Sequence, residues 1–297
     1  IGVVERDALR EAGPMVNLSE VMSRVPGLVV NMRNNYAQDL QISSRGFGAR
    51  AGFGVRGLRL YADGIPASGP DGQGQVSHFD IAGAQRIEVL RGPFSVLFGN
   101  SSGGVISVFS APATRAEGEI GLDAGTFGLG QLRGQIALPL GGGFDLRASL
   151  ASMSVDGFRP HSGAEKLGGN IRLGWQGTSD RVTLILNSID QPADDPLGLS
   201  REQFDADPYQ TAQPAIDFNT RKTLHQDQVG ASWRHAFGDG ALRESVLAVY
   251  AGQRAVANWL AIPPGAQGSP RHGSGDVDFS RDYSGPDARL RWGRSGF

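Results

Sequence analysis

Cysteine is absent from the 297 residues, which excludes a disulfide framework and any cysteine-based metal site. Long apolar runs are missing too. None approaches the ~20 residues of a membrane-crossing helix, so contact with a membrane would have to be made by a β-barrel or at the surface. Neither charge dominates: 28 Lys and Arg stand against 30 Asp and Glu, a net charge of −2, and bulk electrostatics does not suggest nucleic acid. The five histidines, His78, His161, His225, His235 and His272, show no metal-ligand spacing. The opening IGVVERDAL has no basic n-region or apolar h-region of a signal peptide. An exported protein would carry one, so both ends are expected to be cut from a longer chain, and the aromatic Phe297 reads as coincidence.

Glycine, by contrast, is plentiful, at 44 residues spread along the chain. This disfavours long helices and favours turns and bulges. The length allows one large domain or two ordinary ones.

Residues 84–110, AQRIEVLRGPFSVLFGNSSGGVISVFS, organise the rest. RIEVLR is a short strand pattern, with Ile87, Val89 and Arg91 on one face and Arg86, Glu88 and Leu90 on the other. Gly92-Pro93 ends it, because Pro93 has no N–H to continue a ladder. A compact apolar turn, a Gly-rich hinge over 99–104 and a second strand over 105–109 follow. Earlier, Asn17-x-x-Glu20 predicts a capping-box start to a short helix with Leu18, Val21, Met22 and Val25 on one face. Strands are expected at 28–30, 40–44 and 58–62, with Asp63-Gly64 as a turn. The first 112 residues read as a small α+β unit.

After Pro112 the pattern becomes strands of ten or so residues, apolar on one face and polar on the other. Phe144, Leu146, Ala148 and Leu150 oppose Asp145, Arg147 and Ser149, and Val229, Ala231 and Trp233 oppose Gln228, Ser232 and Arg234. Val182, Leu184 and Leu186 repeat this, though Ile185 breaks the polar face. Tight turns at 141–143, 178–180 and 238–240 alternate with long polar connections at 157–164, 192–221 and 262–280; the first outer connection, 125–128, is short. Eight strands are expected, with the short-turn and long-loop rims of an outer-membrane barrel. Phe144, Trp175, Trp233 and Phe237 lie in phase with the apolar face beside short turns. They are expected as a lipid-facing aromatic girdle.

Two motifs point elsewhere and are set aside. Residues 52–57, GFGVRG, match G-x-G-x-x-G but precede a strand, whereas a dinucleotide site needs a helix there. Residues 99–103, GNSSG, match a nucleophile elbow but are also followed by a strand pattern. The acidic pairs Asp194-Asp195 and Asp205-x-Asp207 read as a solvated loop, since the latter stretch lacks the glycine of an EF-hand. Arginine is more informative. Between residues 28 and 60 stand Arg33, Arg45, Arg50, Arg56 and Arg59 against Asp39 alone.

The stretch 84–110 resembles the closing segment of the plug domain of TonB-dependent outer-membrane receptors, ERIEVLRGP…S.LYG…GGVIN. Gln85, Phe98 and Ser107 stand where Glu, Tyr and Asn are usual. ISSRG at 42–46 is similar to the family's IRG, and GLRLYADGIP at 57–66 to R.LVLVDGVP. The resemblance implies an α+β plug domain over 1–112, followed over 113–297 by antiparallel transmembrane β-barrel strands. Plug-holding barrels have about 22 strands, so eight would be the N-terminal part of one, open at both edges. Arg45, Gly46, Asp63, Gly64, Arg91 and Gly92 take structural roles by resemblance, with Arg45 and Arg91 against the barrel wall. The ligand-facing apex would comprise Arg33, Tyr36, Arg50 and Phe53 with Asp71, Gln73 and Gln75 from a third loop.

The resemblance further implies a gated transporter of the bacterial outer membrane, not an enzyme, without a resident cofactor or metal. The expected solute is a ferric siderophore, an anionic metal chelate; cobalamin, haem and oligosaccharide are the alternatives. Expected partners are the TonB–ExbB–ExbD complex and outer-membrane lipid, with no nucleic acid and a monomeric state. A non-transport barrel and a soluble β-rich enzyme are the rival readings. A TonB box upstream would argue against the first, and detergent-free solubility would favour the second.

Overall fold

The computed structural model describes residues 2–32, 35–52, 54–69, 72–92, 98, 101–268, 271 and 275–293. Two sheets contain most of the strands. The first has the order β1-β6-β7-β4-β5, from β1 (Gly2–Glu5), β4 (Leu58–Ala62), β5 (Ile65–Pro66), β6 (Arg86–Arg91) and β7 (Gly104–Phe109). β7 is antiparallel to β6 and parallel to β4. As a central strand covered on both faces, its GVISVF sequence is nearly continuously apolar. Ile87, Val89, Ile106, Leu58 and Leu60 form one buried core with Val21 and Met22, which lie on the helix Ser19–Met22.

Asp63 and Gly64 have φ of 49° and 82° between the paired residues Ala62 and Ile65. Positive φ at both central positions makes the tight turn that joins twisted strands. β1 and a helix at Arg6–Arg10 were not foreseen. Their segments are too short to show a period. The Asn17 cap forms by halves. Glu20 accepts the Asn17 N–H at 2.8 Å and those of Met15 and Val16 at 2.7 and 3.0 Å. The Asn17 side chain turns instead to the sulfur of Met32, at 3.2 Å. A separate hairpin pairs β2 (Leu28–Asn31) with β3 (Gln41–Ser44).

The second sheet has eight strands in chain order, β8 (Glu117–Ala124), β9 (Gly130–Gly141), β10 (Phe144–Val155), β11 (Ala164–Gln176), β12 (Asp180–Asp194), β13 (Arg221–Ala236), β14 (Leu242–Trp259) and β15 (Asp276–Trp292). Every neighbouring pair is antiparallel. The described sheet is open, with β8 and β15 as edges. Short turns lie at one rim and the long connections at the other, apart from the short turn after β8.

This wall reverses the usual sidedness of a sheet. Ile120, Leu122, Leu150, Ile171, Leu186, Val229 and Leu290 are exposed on its outer face, while the inner face meets the smaller unit. Ile185, which broke the polar pattern, is a contact point: it is 3% exposed and packs with Ala248 and with Ile65 of β5. Phe144, Trp175, Trp233 and Phe237 stand beside the short turns in the outward phase. Phe144 lies 6.3 Å from Trp175, and His235 stands 4.5 Å from Phe237 between ring centroids.

Candidate functional site

Three places on the seam between the small unit and the wall gather polar chemistry. The first is segment 35–39, at the long-loop rim. Asn35 donates to Asp195 Oδ1 at 2.7 Å and Gln38 to Asp195 Oδ2 at 2.5 Å. Asp195 also accepts the Leu197 N–H at 2.9 Å. Its backbone is tied to Thr220, whose hydroxyl donates to the Asp195 carbonyl at 2.6 Å. Asp195 is 5% exposed, so the expectation of a solvated acidic loop is corrected at this residue: an anion with three donors can be buried.

Asp39 meets Lys222 Nζ at 2.5 Å and accepts the Gly54 N–H at 2.9 Å. Burial pushes its carboxyl up, but the Lys222 ammonium, Arg254 and that N–H outweigh burial and hold it below the ordinary carboxylate range. Gln191 donates to the Tyr36 carbonyl at 2.9 Å. Tyr36 and Ala37 pack against Ala164, Ala193 and Val155 at the tops of the strands. Burial raises the Tyr36 phenol above its ordinary value.

The second place is a cavity between the loop 66–75 and strands β13–β15. Gln73 and Gln75 face it from the small unit; Gln226, Gln228, Arg254 and Tyr283 face it from the wall. Its wall is wired in one direction. Arg254 donates to Gln226 Oε1 at 2.5 Å, Gln226 to the Tyr283 hydroxyl at 3.2 Å, and that hydroxyl to Gln228 Oε1 at 3.0 Å. Gln228 reaches the Pro66 carbonyl at 3.5 Å. Arg281 and Phe279 complete the wall, and no carboxylate is among the described lining residues. Two guanidiniums and a set of amides therefore offer donors to an oxygen-rich ligand.

The third place lies against β9–β12. His78 is 7% exposed and faces a cavity it shares with Ser77, Gln131, Asn170 and Lys166. Both ring nitrogens of His78, Ser77 Oγ, Gln131 Oε1 and Asn170 Oδ1 have no hydrogen-bond partner among the described residues. Burial, with Arg254 and Lys166 nearby, pushes the imidazole down to about 3, so it is neutral. Asp80 clasps this side, accepting from Ser149 Oγ at 2.6 Å and Asn170 Nδ2 at 3.3 Å.

The residues singled out in the sequence fall unevenly on these places. Arg33, Phe53 and Asp71 lie outside the described residues. Tyr36 belongs to the first place, Gln73 to the second, and Gln75 lines both. Arg50 is exposed on the loop beyond β3. Arg56 donates to Gln73 Oε1 at 3.3 Å. Arg45 and Arg91, expected against the wall, contribute within the small unit. Arg45 is exposed with φ of 50°, its N–H bonded to the Gly27 carbonyl at 3.3 Å, and Gly46 follows at 87°. Arg91 donates to the Pro26 carbonyl, and Gly92 has φ of 112°.

Asp63 accepts Ser110 Oγ at 2.7 Å and its N–H at 2.9 Å; burial nonetheless raises its carboxyl. After Gly57 comes strand β4, and Ser101 is buried ahead of strand β7. Among the described residues, each motif is followed by a strand and not by the helix that a dinucleotide site or a nucleophile elbow needs. Asp195, Gln226, Gln228 and Arg254 were missed. Apart from the Leu197 N–H on Asp195, their side-chain partners are 28 to 162 residues away in sequence, and only the inward strand phase could have nominated them.

Residues 1–105 match the family described as the TonB-dependent receptor plug domain. Two curated relatives are similar, both vitamin B12 transporters BtuB. That of Photobacterium profundum is 28% identical over 161 residues, 53% of this chain and 25% of its own length. That of Vibrio vulnificus is 27% identical over 105 residues, 35% of this chain and 16% of its own length. Among solved structures, the unliganded ferric citrate transporter FecA superposes with a TM-score of 0.72 at 19% identity, covering 87% of this chain and 40% of that one. The ferric yersiniabactin uptake receptor FyuA of Yersinia pestis gives 0.68 at 20%, covering 86% and 41%. The chain thus spans about a quarter of the length of the longer-matching curated relative.

Proposed function

We infer that this chain, whose first 105 residues are a TonB-dependent receptor plug and whose eight-stranded sheet is the adjoining barrel wall, serves energised uptake of a scarce solute across a bacterial outer membrane. The observation that carries this reading is the seating of the plug on the polar face of a wall whose other face is apolar. That wall has short turns at one rim and long connections at the other, the sidedness of a barrel in lipid. The working partners would be the TonB–ExbB–ExbD complex, which moves the plug, and outer-membrane lipid around the wall.

The solute read from the chemistry is a ferric siderophore, held as an anionic chelate and carried as cargo. The carboxylate-free cavity with Arg254 and Arg281 supports this, as does the arginine excess that includes Arg33 and Arg50. Charge-assisted hydrogen bonds are worth roughly 1.5–3 kcal/mol each. Arg33→Ala and Arg50→Ala should each weaken chelate binding by about tenfold. Wild-type affinity in both folded variants would show that the basic excess is structural.

A second reading is cobalamin, favoured by the two B12-transporter relatives and by the Gln73, Gln75, Gln226 and Gln228 amides around the same cavity, which suit an amide-rich neutral ligand. Uptake of radiolabelled ferric siderophores and of labelled cobalamin by cells expressing the intact receptor, with and without TonB, separates the two. Accumulation of neither, in cells where the receptor is folded, would remove the transport reading.

A further inference from the structure

One short plug segment holds both feet of one long connection. Connection 195–220 follows β12 and begins with Asp195; it enters β13 at Arg221, next to Lys222. Asp195 is bound by Asn35 and Gln38, and Lys222 by Asp39. Between these polar grips, Ala37 wedges among Ala164 and Ala193, where small side chains allow close approach. The neighbouring connection 157–163 rides on the same body. Arg159 donates to the Leu197 carbonyl at 2.7 Å and to that of Gln210 at 3.5 Å, Thr211 Oγ1 donates to the Pro160 carbonyl, and His161 Nε2 meets the Thr220 carbonyl at 2.7 Å.

We propose that segment 35–39 is a latch that holds these two connections in place over the plug, and that displacement of the segment releases them. The argument is one of uncompensated charge. Asp195 is 5% exposed and Lys222 8% exposed. Were the segment to move alone, Asp195 would keep one of its three donors, the Leu197 N–H, and Lys222 would lose its carboxylate. Leaving these charges buried without partners is strongly unfavourable, and loosening the feet so that water reaches them relieves that cost. The feet of the connection therefore open when the segment leaves. By linkage, a ligand that holds the connections down also holds the segment. The latch stands whichever solute is carried.

The test is hydrogen–deuterium exchange on the intact receptor, reading the connections while the changes are made in the plug. Asn35→Ala with Gln38→Ala removes two donors from Asp195. It should speed exchange over 200–218, and over 157–163, by about tenfold or more. Arg201→Ala removes only the exposed pair with Asp205 inside the connection and should change exchange less than about twofold.

A rescue guards against general loosening. This chain has no cysteine, so Ala37→Cys with Ala193→Cys can be added to the double variant and oxidised. Closing that disulfide should return the connections to wild-type exchange, and reduction should release them again. Wild-type exchange in the double variant, or fast exchange that persists with the disulfide closed, overturns the latch.

Discussion

The plug meets the wall differently on its two sides. Against β12–β15 the contacts are matched: Ile65 in an apolar socket with Ile185 and Ala248, Asp39 on Lys222, Tyr61 donating to Asp287 at 3.2 Å, and Gln228 reaching Pro66. Against β9–β12, Asp80 and Lys166 are the clasps, Lys166 donating to the Val16 carbonyl at 2.8 Å, and beside them a cavity is edged by buried polar atoms without partners among the described residues. Buried polar groups in folded proteins that lack a protein partner are satisfied by water. The contrast separates a side where the plug's polar groups are matched by the wall from one where part of the seam is left to water.

Four measurements break or sharpen this contrast, each read as the free energy of plug seating in the intact protein from urea-driven release. The largest effect is expected from Lys222→Met, which leaves Asp39 buried without its partner. Breaking such a pair costs about 3–5 kcal/mol; a loss under about 1 kcal/mol would show the pair to be solvated. Next is Ile65→Ala in the apolar socket, where a fully buried Ile should cost about 3 kcal/mol. Equal losses from Ile65→Ala and from Ala82→Gly, on the other side, would erase the distinction.

The third is acid. The released plug carries an imidazole near its ordinary value of about 6.5, while seated His78 is pushed down to about 3. The released state therefore takes the proton first. His78's share of seating is intact above about pH 6.5 and falls by about 1.4 kcal/mol per unit as the pH drops from there toward 3. Glu20 and Asp63, raised by burial, gain stability on protonation and pull the other way. The diagnostic quantity is thus the difference between wild type and His78→Leu across that range. Parallel pH curves would place the ring in solvent. The smallest effect is Gln228→Ala, about 1 kcal/mol for one neutral hydrogen bond.

The wall was the more legible part of the sequence. A period of two survives any tertiary context when one face is apolar and the other polar, so the eight-strand count and the turn alternation are legible from it, although 241–257 carries apolar residues on both faces. Ile185 shows the limit: a departure from the period marked a contact whose partner, Ile65, is 120 residues away. In the plug, the β4 and β6 boundaries coincide with the expected 58–62 and 86–91, because Gly and Pro punctuate them. β1 escaped notice because four residues carry no period. The helix Arg201–Ala206 was passed over despite a legible signal: Ser200 and Gln203 form a capping box. Of the site, the sequence offered loops and arginines. Asp195, Gln226 and Arg254 acquire their meaning only from partners brought in by the fold.

β1 also has a mechanical consequence. It is an edge strand, held by four residue pairs from Gly2–Val89 to Glu5–Arg86, and its Glu5 end lies nearer the short-turn rim, since Arg86 pairs with Phe109 and the chain just beyond, at Ala111 and Ala113, bonds Arg147 and Asp145 beside the turn 141–143. A tension applied at Gly2 and directed toward that rim folds the strand back on itself. It strains one rung at a time, so the strand peels at low force. The same tension directed the other way, along the strand axis, would shear all four pairs together. The first strand of the plug is therefore a joint whose strength depends on the direction of the pull.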